Sequence, residues 1–384
     1  MRKGEIASRL LTSVHIDTTR TWRGGQNQVL QLVTGLSALG HPTWLVAHAR
    51  GELKRRAQEG LRFVGFAPRS EFDVQAAWQL GRVLRDVRAD VIHAHDPMGV
   101  ALTAMALQMQ DGAGARPLVV AARRVDFHLK SHAFSKWKYR HVDVFIAASE
   151  VIGGILERDG IPRDRIVTVH DGVNIGLIDK QKAADVHAAF WLPHGSPVVG
   201  NVAALAPHKG QKHLVAAAKL VVQEVPDARF LIVGEGELKE QLERQIKHLA
   251  LERHVTLTGF RPDALGLMKS FDIFAMSSVT EGLGSAVLEA MACGRAVVST
   301  RAGGLPEVVV ENETGLLVPP NDEPALAQAL ITLLRDPVTR AAMGAAGRLR
   351  VIDQFSVETM VTRTVDVYSN RVVQSPASVV QRSS

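Results

Sequence analysis

Apolar and polar positions fall in blocks along this chain, with short strand-like apolar runs separated by stretches long enough for a helix. In the first half the runs are Leu10–Ile16, Thr43–Ala47, Arg62–Phe66, Val91–His93, Leu118–Ala122, Val144–Ala147 and Asp164–Val169. In the second they are Val198–Val202, Arg229–Val233, Val255–Thr258, Ile273–Met276, Ala296–Ser299 and Gly315–Val318. Helical patterning predicts helices between them, among them Gln26–Leu39, Gln211–Val225, Leu238–Leu249 and Ser285–Ala292. Regular alternation of strand and helix predicts a doubly wound α/β architecture, used twice.

A chain of 384 residues is long enough for two domains, each with its own core. The join is expected after Gly172-Val-Asn174, in the polar stretch Ile178–His194, giving domains 1–176 and 177–356. Near the end, Asp336-Pro337 opens a helix and Val357–Tyr368 is amphipathic. The Ser-rich tail 373–384 is expected to be disordered. Open parallel sheets bind ligands beyond the carboxyl ends of their strands. Two such domains facing an interdomain cleft would put the active site in that cleft.

Composition removes several classes. A net charge of +6 is modest for this length and gives no case for a nucleic-acid partner. The start, Met1-Arg-Lys-Gly-Glu-Ile, lacks a signal-like apolar run, and no segment approaches the roughly 20 apolar residues of a membrane span. The single cysteine, Cys293, fits a reducing cytoplasm. The histidines lack metal-ligand spacing, so no metal is expected. Much of the positive charge is local: Arg123, Arg124, Lys130, Lys136, Lys138 and Arg140 interleave with Phe127, Phe134, Trp137 and Tyr139. The segment 123–141 suits either peripheral contact with an anionic membrane, at its inner face, or a solvated basic helix. Oligomeric state is not legible.

Candidate chemistry concentrates in Glu281-Gly-Leu-Gly-Ser-Ala-Val-Leu-Glu289. This reads as a glycine-bearing loop entering a helix, with Glu281 on the loop and Glu289 one turn in. The amides of Gly282, Leu283 and Gly284, with a helix N-terminus behind them, attract an anion such as a diphosphate. Carboxylates repel that anion and suit hydroxyl groups on either side of it. Hydroxyls flanking a diphosphate describe a nucleotide sugar. An ordinary helix start is the plainer alternative for two glutamates at this spacing.

The continuation is Ala296–Thr300, Arg301-Ala-Gly-Gly-Leu-Pro-Glu307 and Thr314-Gly-Leu-Leu-Val-Pro319. The whole string resembles the C-terminal half of family 4 glycosyltransferases, a retaining group with the GT-B fold of two Rossmann-like domains. The resemblance implies that Glu281 contacts the donor sugar and Glu289 the nucleotide ribose. It implies that Lys209, before Gly210, compensates charge on the leaving diphosphate. It puts Gly234 near the donor and Phe260 and Arg261 near the base, although a tight turn explains Gly234 and a core position explains Phe260 equally well. Gly24 and Gly25, opening the first helix, would let substrate and phosphate approach the backbone, or serve as a turn. His95 and Asp96, ending a strand, fall on the acceptor side, where His95 is either a substrate contact or a structural histidine. The resemblance also implies that the last helix, about 357–372, packs back on the first domain.

Two positions depart from the pattern, and both involve cations. The family's arginine five residues before the lysine is Ala204 here, and its histidine after the fifth strand is Arg123, beside Arg124. One expectation is that Arg123 or Arg124 reaches across the closed cleft to replace the missing phosphate clamp. Its rival is that these arginines bind an anionic acceptor.

Stabilising charge on the departing diphosphate is the dominant need of this reaction, with Lys209 and the Gly282–Gly284 amides as candidates. No cofactor is expected beyond the nucleotide-diphosphate sugar as co-substrate, and the acceptor is a glycan or lipid-linked group. A nucleotide-sugar epimerase, a phosphorylase-like enzyme and a non-catalytic GT-B sugar-binding protein are the alternatives, the last favoured by Ala204. A nicotinamide dehydrogenase is disfavoured, since no strand–Gly-x-Gly-x-x-Gly–helix unit heads either domain.

Overall fold

The computed structural model describes residues 9–57, 60–110 and 116–374. It divides into two compact units: residues up to Gly172 together with those from Val357 onward, and Val173–Ser356.

The first unit is built on a seven-stranded parallel sheet. Its strands are β1 (Ser13–Asp17), β2 (Thr43–His48), β3 (Arg62–Phe66), β4 (Val91–Ala94), β5 (Leu118–Arg123), β6 (Val144–Ala147) and β7 (Ile166–Thr168), in the order β3-β2-β1-β4-β5-β6-β7. Strands β1, β4 and β6 are buried throughout, as parallel strands covered by helices on both faces must be. The apolar run before β1 starts earlier than the strand, because Leu10 is exposed and pairing begins at Ser13.

The C-terminal helix Val357–Gln374 closes one face of this sheet. Its buried residues, Val357, Met360, Val361, Thr364, Val367 and Tyr368, recur at three- and four-residue spacing, forming one stripe. The stripe packs with Leu32 and Leu36 of the helix Gly24–Ala38. A Cβ at Gly35 would lie 2.5 Å from Val361 Cγ2, so glycine permits this close crossing. The tail expectation beyond Gln374 lies outside the described residues, as does the expectation for Met1–Ile6.

The second unit repeats the plan with six parallel strands. These are β8 (Val198–Val202), β9 (Arg229–Val233), β10 (Val255–Gly259), β11 (Ile273–Met276), β12 (Ala296–Thr300) and β13 (Gly315–Val318), ordered β10-β9-β8-β11-β12-β13. The polar stretch Ile178–His194 is not a bare linker. It carries short helices at Ile175–Lys180 and Val186–Ala189, capped by Asn174 and Asp185. Ile178 and Val186 sink into the core beside Leu267 and Phe271. Isolated apolar anchors in a polar run escape a reading based on average polarity. Asp336 caps the helix Pro337–Gln354 through the amides of Val338 and Thr339. Among the described residues, no helix is long and apolar enough to cross a membrane.

Candidate active site

In each sheet the chain starts in the middle, winds to one edge, then returns to wind toward the other. The reversal falls between β1 and β4 in the first unit and between β8 and β11 in the second. Adjacent strands there send their following loops apart, which opens a crevice at their carboxyl ends. The predicted site residues concentrate at these two places.

In the second unit the loop after β8 ends in the short helical turn Pro207–Lys209 and then Gly210, at φ +64°. A Cβ on Gly210 would stand 2.1 Å from the Ser277 carbonyl, so glycine lets this loop press against the exit of β11. Val279 N donates to His208 O at 2.8 Å and ties the two loops. Lys209 Nζ consequently donates to Glu281 Oε2 at 2.7 Å, and Ser278 Oγ to the same oxygen at 3.1 Å. The lysine and glutamate side chains are 18% and 12% exposed.

The Glu281 backbone is gripped from the other side. Gly304 N donates to Glu281 O at 3.1 Å, and a Cβ on Gly303, at φ +52°, would lie 1.7 Å from that oxygen. Gly284, at φ +98°, turns the chain into the helix Ser285–Ala292. Leu283 is buried and Gly282 partly so. Glu289 lies one turn into that helix, where burial pushes its carboxyl up to about 7.

The remaining donor-side candidates stand on their own. Gly234, after β9, has φ +144°, and a Cβ there would be 2.0 Å from Ala203 O, so packing against the β8 loop already demands glycine. Phe260 is not a core aromatic, being 67% exposed after β10. Arg261 is held by Asp263 through two bonds of 2.8 and 2.7 Å. The Ala204 carbonyl accepts from Gln211 Nε2 at 2.9 Å.

The first unit gathers histidines that sequence spacing did not connect. His15 on β1 is in register with His93 on β4, and His95 follows two residues later on the same face. Ligand-capable atoms of all three lie within 4.8 Å of one another. Strand register, rather than separation along the chain, makes this cluster.

Its hydrogen bonds run in one direction. Arg124 only donates, so at 3.2 Å it makes His95 Nδ1 an acceptor. His95 Nε2–H then donates to His15 Nδ1 at 3.0 Å, and His15 Nε2–H to Ser13 Oγ at 3.2 Å. Thr43 Oγ1 extends the run to His41 O. Asp171 holds Arg124 from behind at 2.8 Å. Burial, with the Arg124 charge adding to it, lowers the His15 pKa to about 3. Burial and neighbouring positive charge hold His93 and His95 well below the usual imidazole range. All three rings are therefore neutral at pH 7. Neutral imidazoles suit a metal, but the direct His95–His15 bond and the adjacent guanidinium oppose a dication. No metal role is assigned to the cluster.

These contacts change the acceptor-side expectations. Both ring nitrogens of His95 are hydrogen-bonded within the unit, and the residue also lines a pocket there. Asp96 caps the helix Pro97–Gln108 through the amides of Met98 and Gly99, and accepts from Thr18 N and Oγ1 at 2.6 and 2.9 Å. Burial, with Asp17 nearby, raises its carboxyl to about 6. Arg124 is paired with Asp171. Arg123 donates to the Phe127 carbonyl in its own loop. Lys138, counted above as surface charge, is buried and bonded to Glu71 at 2.8 Å and to Pro97 O at 3.0 Å.

Gly24 and Gly25 open the helix Gly24–Ala38, and a Cβ on Gly25 would meet nothing within 4 Å. Gly25, Gln26, Asp96, Arg123, Arg124 and Tyr139 line a pocket of about 300 Å³. Sequence reasoning missed Tyr368, whose hydroxyl is hydrogen-bonded to His93 Nδ1 at 2.6 Å. A His-x-His in a buried strand, opposite another strand's histidine, was the available signal.

Two doubly wound parallel sheets of this kind define a GT-B protein. Residues 22–177 match the sequence model of Glycosyltransferase Family 4, and residues 184–350 that of Glycosyl transferases group 1. A GDP-mannose-dependent alpha-(1-6)-phosphatidylinositol monomannoside mannosyltransferase of Mycolicibacterium smegmatis is 39% identical over 46% of this chain. The match spans 48% of that protein, about half its length. An N-acetyl-alpha-D-glucosaminyl L-malate synthase of Bacillus anthracis is 25% identical over 77% of this chain and 79% of that protein. The crystal structure of Anabaena HepE in complex with UDP superposes with a TM-score of 0.81, at 21% identity, over 94% of this chain and 100% of that one. The chain belongs to the family 4 glycosyltransferases.

Proposed function

We propose that this protein transfers a glycosyl group, with retention, from a nucleotide-diphosphate sugar to a glycan or lipid-linked acceptor, without a metal. The second unit binds the donor. Lys209 and the Gly282–Gly284 amides meet the diphosphate, Glu281 orients sugar hydroxyls, and Glu289 accepts from the ribose. Phe260, exposed after β10, and Arg261 border the base.

One observation carries this reading: Lys209 and Glu281 meet at the switch point of the second sheet, from loops 72 residues apart. An incoming diphosphate competes with Glu281 for the ammonium, and a carboxylate released from Lys209 can turn to hydroxyls. As the anomeric bond breaks, negative charge grows on the diphosphate, and the fixed ammonium and amides stabilise it most at that moment.

The relatives differ in donor base: the mannosyltransferase depends on GDP-mannose, and HepE was crystallised with UDP. The acceptor side falls to the first unit, around Gly24, Gly25 and the pocket beside them. Lys130, Lys136 and Arg140 are exposed; Phe72 packs tilted against Phe134 at a centroid distance of 4.3 Å, and Phe134 stacks on Trp137 at 5.3 Å. That basic, aromatic surface supports peripheral contact with an anionic membrane.

The test is a thermal-shift panel of nucleotide sugars, followed by donor hydrolysis without acceptor. One nucleotide sugar is expected to raise the midpoint well above the others and to be hydrolysed slowly. Binding without hydrolysis would favour the non-catalytic alternative, and no binding to any donor would end the proposal.

A further inference from the structure

Alternate residues of β5 face opposite sides of the sheet, so Arg123 shares its side with Val119 and Ala121. That side is apolar: Val100, Ala121, Phe145 and Leu129 belong to one hydrophobic cluster and also line the pocket described above. A guanidinium therefore enters a hydrophobic wall. Arg123 is only 7% exposed, and its guanidinium carbon lies 4.7 Å from the centre of the Phe127 ring. One nitrogen donates to Phe127 O, while Nε is buried with no partner. Arg124, on the opposite side, has Asp171 as counter-ion, whereas Arg123 forms no ion pair among the described residues. Asp159 and Asp126 favour its charge only from beyond ion-pair distance, and buried cations so weakly compensated concentrate at binding sites.

We propose that this pocket takes an anionic oxygen group of the acceptor, a phosphate or a carboxylate, with Arg123 as its anchor and Phe127 and Leu129 against the apolar atoms beside it. Asp17 and Asp96 line the same pocket and repel an anion, while Arg23 and Arg124 line it as further cations. The inference rests on reading the first unit as the acceptor side. It takes up the acceptor-anion expectation for Arg123 rather than the donor-phosphate one, on the strength of the pocket that Arg123 lines.

The orphaned Nε supplies the readout. In the full chain, the Nε–H resonance of Arg123, assigned by its loss in Arg123→Lys, is followed by NMR during titration. Phenyl phosphate is expected to shift it saturably and phenol to leave it in place. Calorimetry is expected to show phenyl phosphate binding at least tenfold more weakly in Arg123→Gln, with Arg123→Lys keeping part of the affinity. A shift with phosphatidic acid vesicles but not with phenyl phosphate or phosphatidylcholine vesicles also sustains the proposal and assigns the anion to a lipid headgroup. A resonance that moves with none of these anions, or only with a nucleoside diphosphate, overturns it. Donor binding is titrated separately, so failure of the donor reading would be seen independently.

Discussion

At the switch point of the first sheet the chain buries three neutral imidazoles. At that of the second it sets an ammonium against a carboxylate, and the two places differ in how their hydrogen-bonding capacity is spent. From Arg124 through His95, His15 and Ser13, donors and acceptors are consumed internally, ending on a main-chain carbonyl. That network ties β1 to the end of β4. Lys209 and Glu281 keep some exposure, 18% and 12%, and an anion that takes over the ammonium offsets the cost of parting them. The same winding order thus yields one locked switch point and one whose ion pair can be re-partnered.

The comparison can be broken at either end. The largest effect is expected from Gly303→Ala, which forces a Cβ against the Glu281 carbonyl at positive φ. Urea unfolding should show a loss of about 2–4 kcal/mol, together with weaker donor binding, because Glu281 is displaced. Donor affinity unchanged in a folded variant would mean that Glu281's position is unimportant.

Tyr368→Phe removes the phenol from His93 Nδ1, and His93 Nε2 is already without a partner. About 1–3 kcal/mol of stability should be lost, with donor affinity unaffected. A change in donor affinity would show that the locked network does more than hold the first unit.

The smallest effect sharpens the second site. Glu289 has a folded-state pKa of about 7, above the ordinary 4.5, so the folded protein holds a proton that the unfolded chain releases. Its contribution to stability is full below pH 4.5 and is lost as pH rises through about 7. Replacing it in Glu289→Gln should flatten the fall in melting temperature between pH 5 and 8. If the ionised form accepts from the donor ribose, donor affinity should also strengthen as pH rises through 7, and this trend should vanish in the variant.

The strands were legible because buried parallel strands are apolar runs with helices between them. Runs such as Val144–Ala147 and Ile273–Met276 match the structure residue for residue. Candidate residues stood out where glycine and charge stand together, as around Glu281. Partnership was not legible. Lys209 and Glu281, or His15 and His93, meet only through strand order and register, which composition does not encode. The direction of Arg123 was encoded in strand parity with Val119 and Ala121. Treating it with Arg124 as one basic pair concealed that they face opposite sides of the sheet.

The most direct test is calorimetric titration of the nucleoside diphosphate matching the preferred donor, comparing the unmutated chain with Lys209→Met. The account predicts saturable one-to-one binding that weakens at least tenfold without the ammonium, while the variant melts within a few degrees of the parent. Equal affinity in the two proteins would contradict it, since the second switch point would then not be where the diphosphate is held.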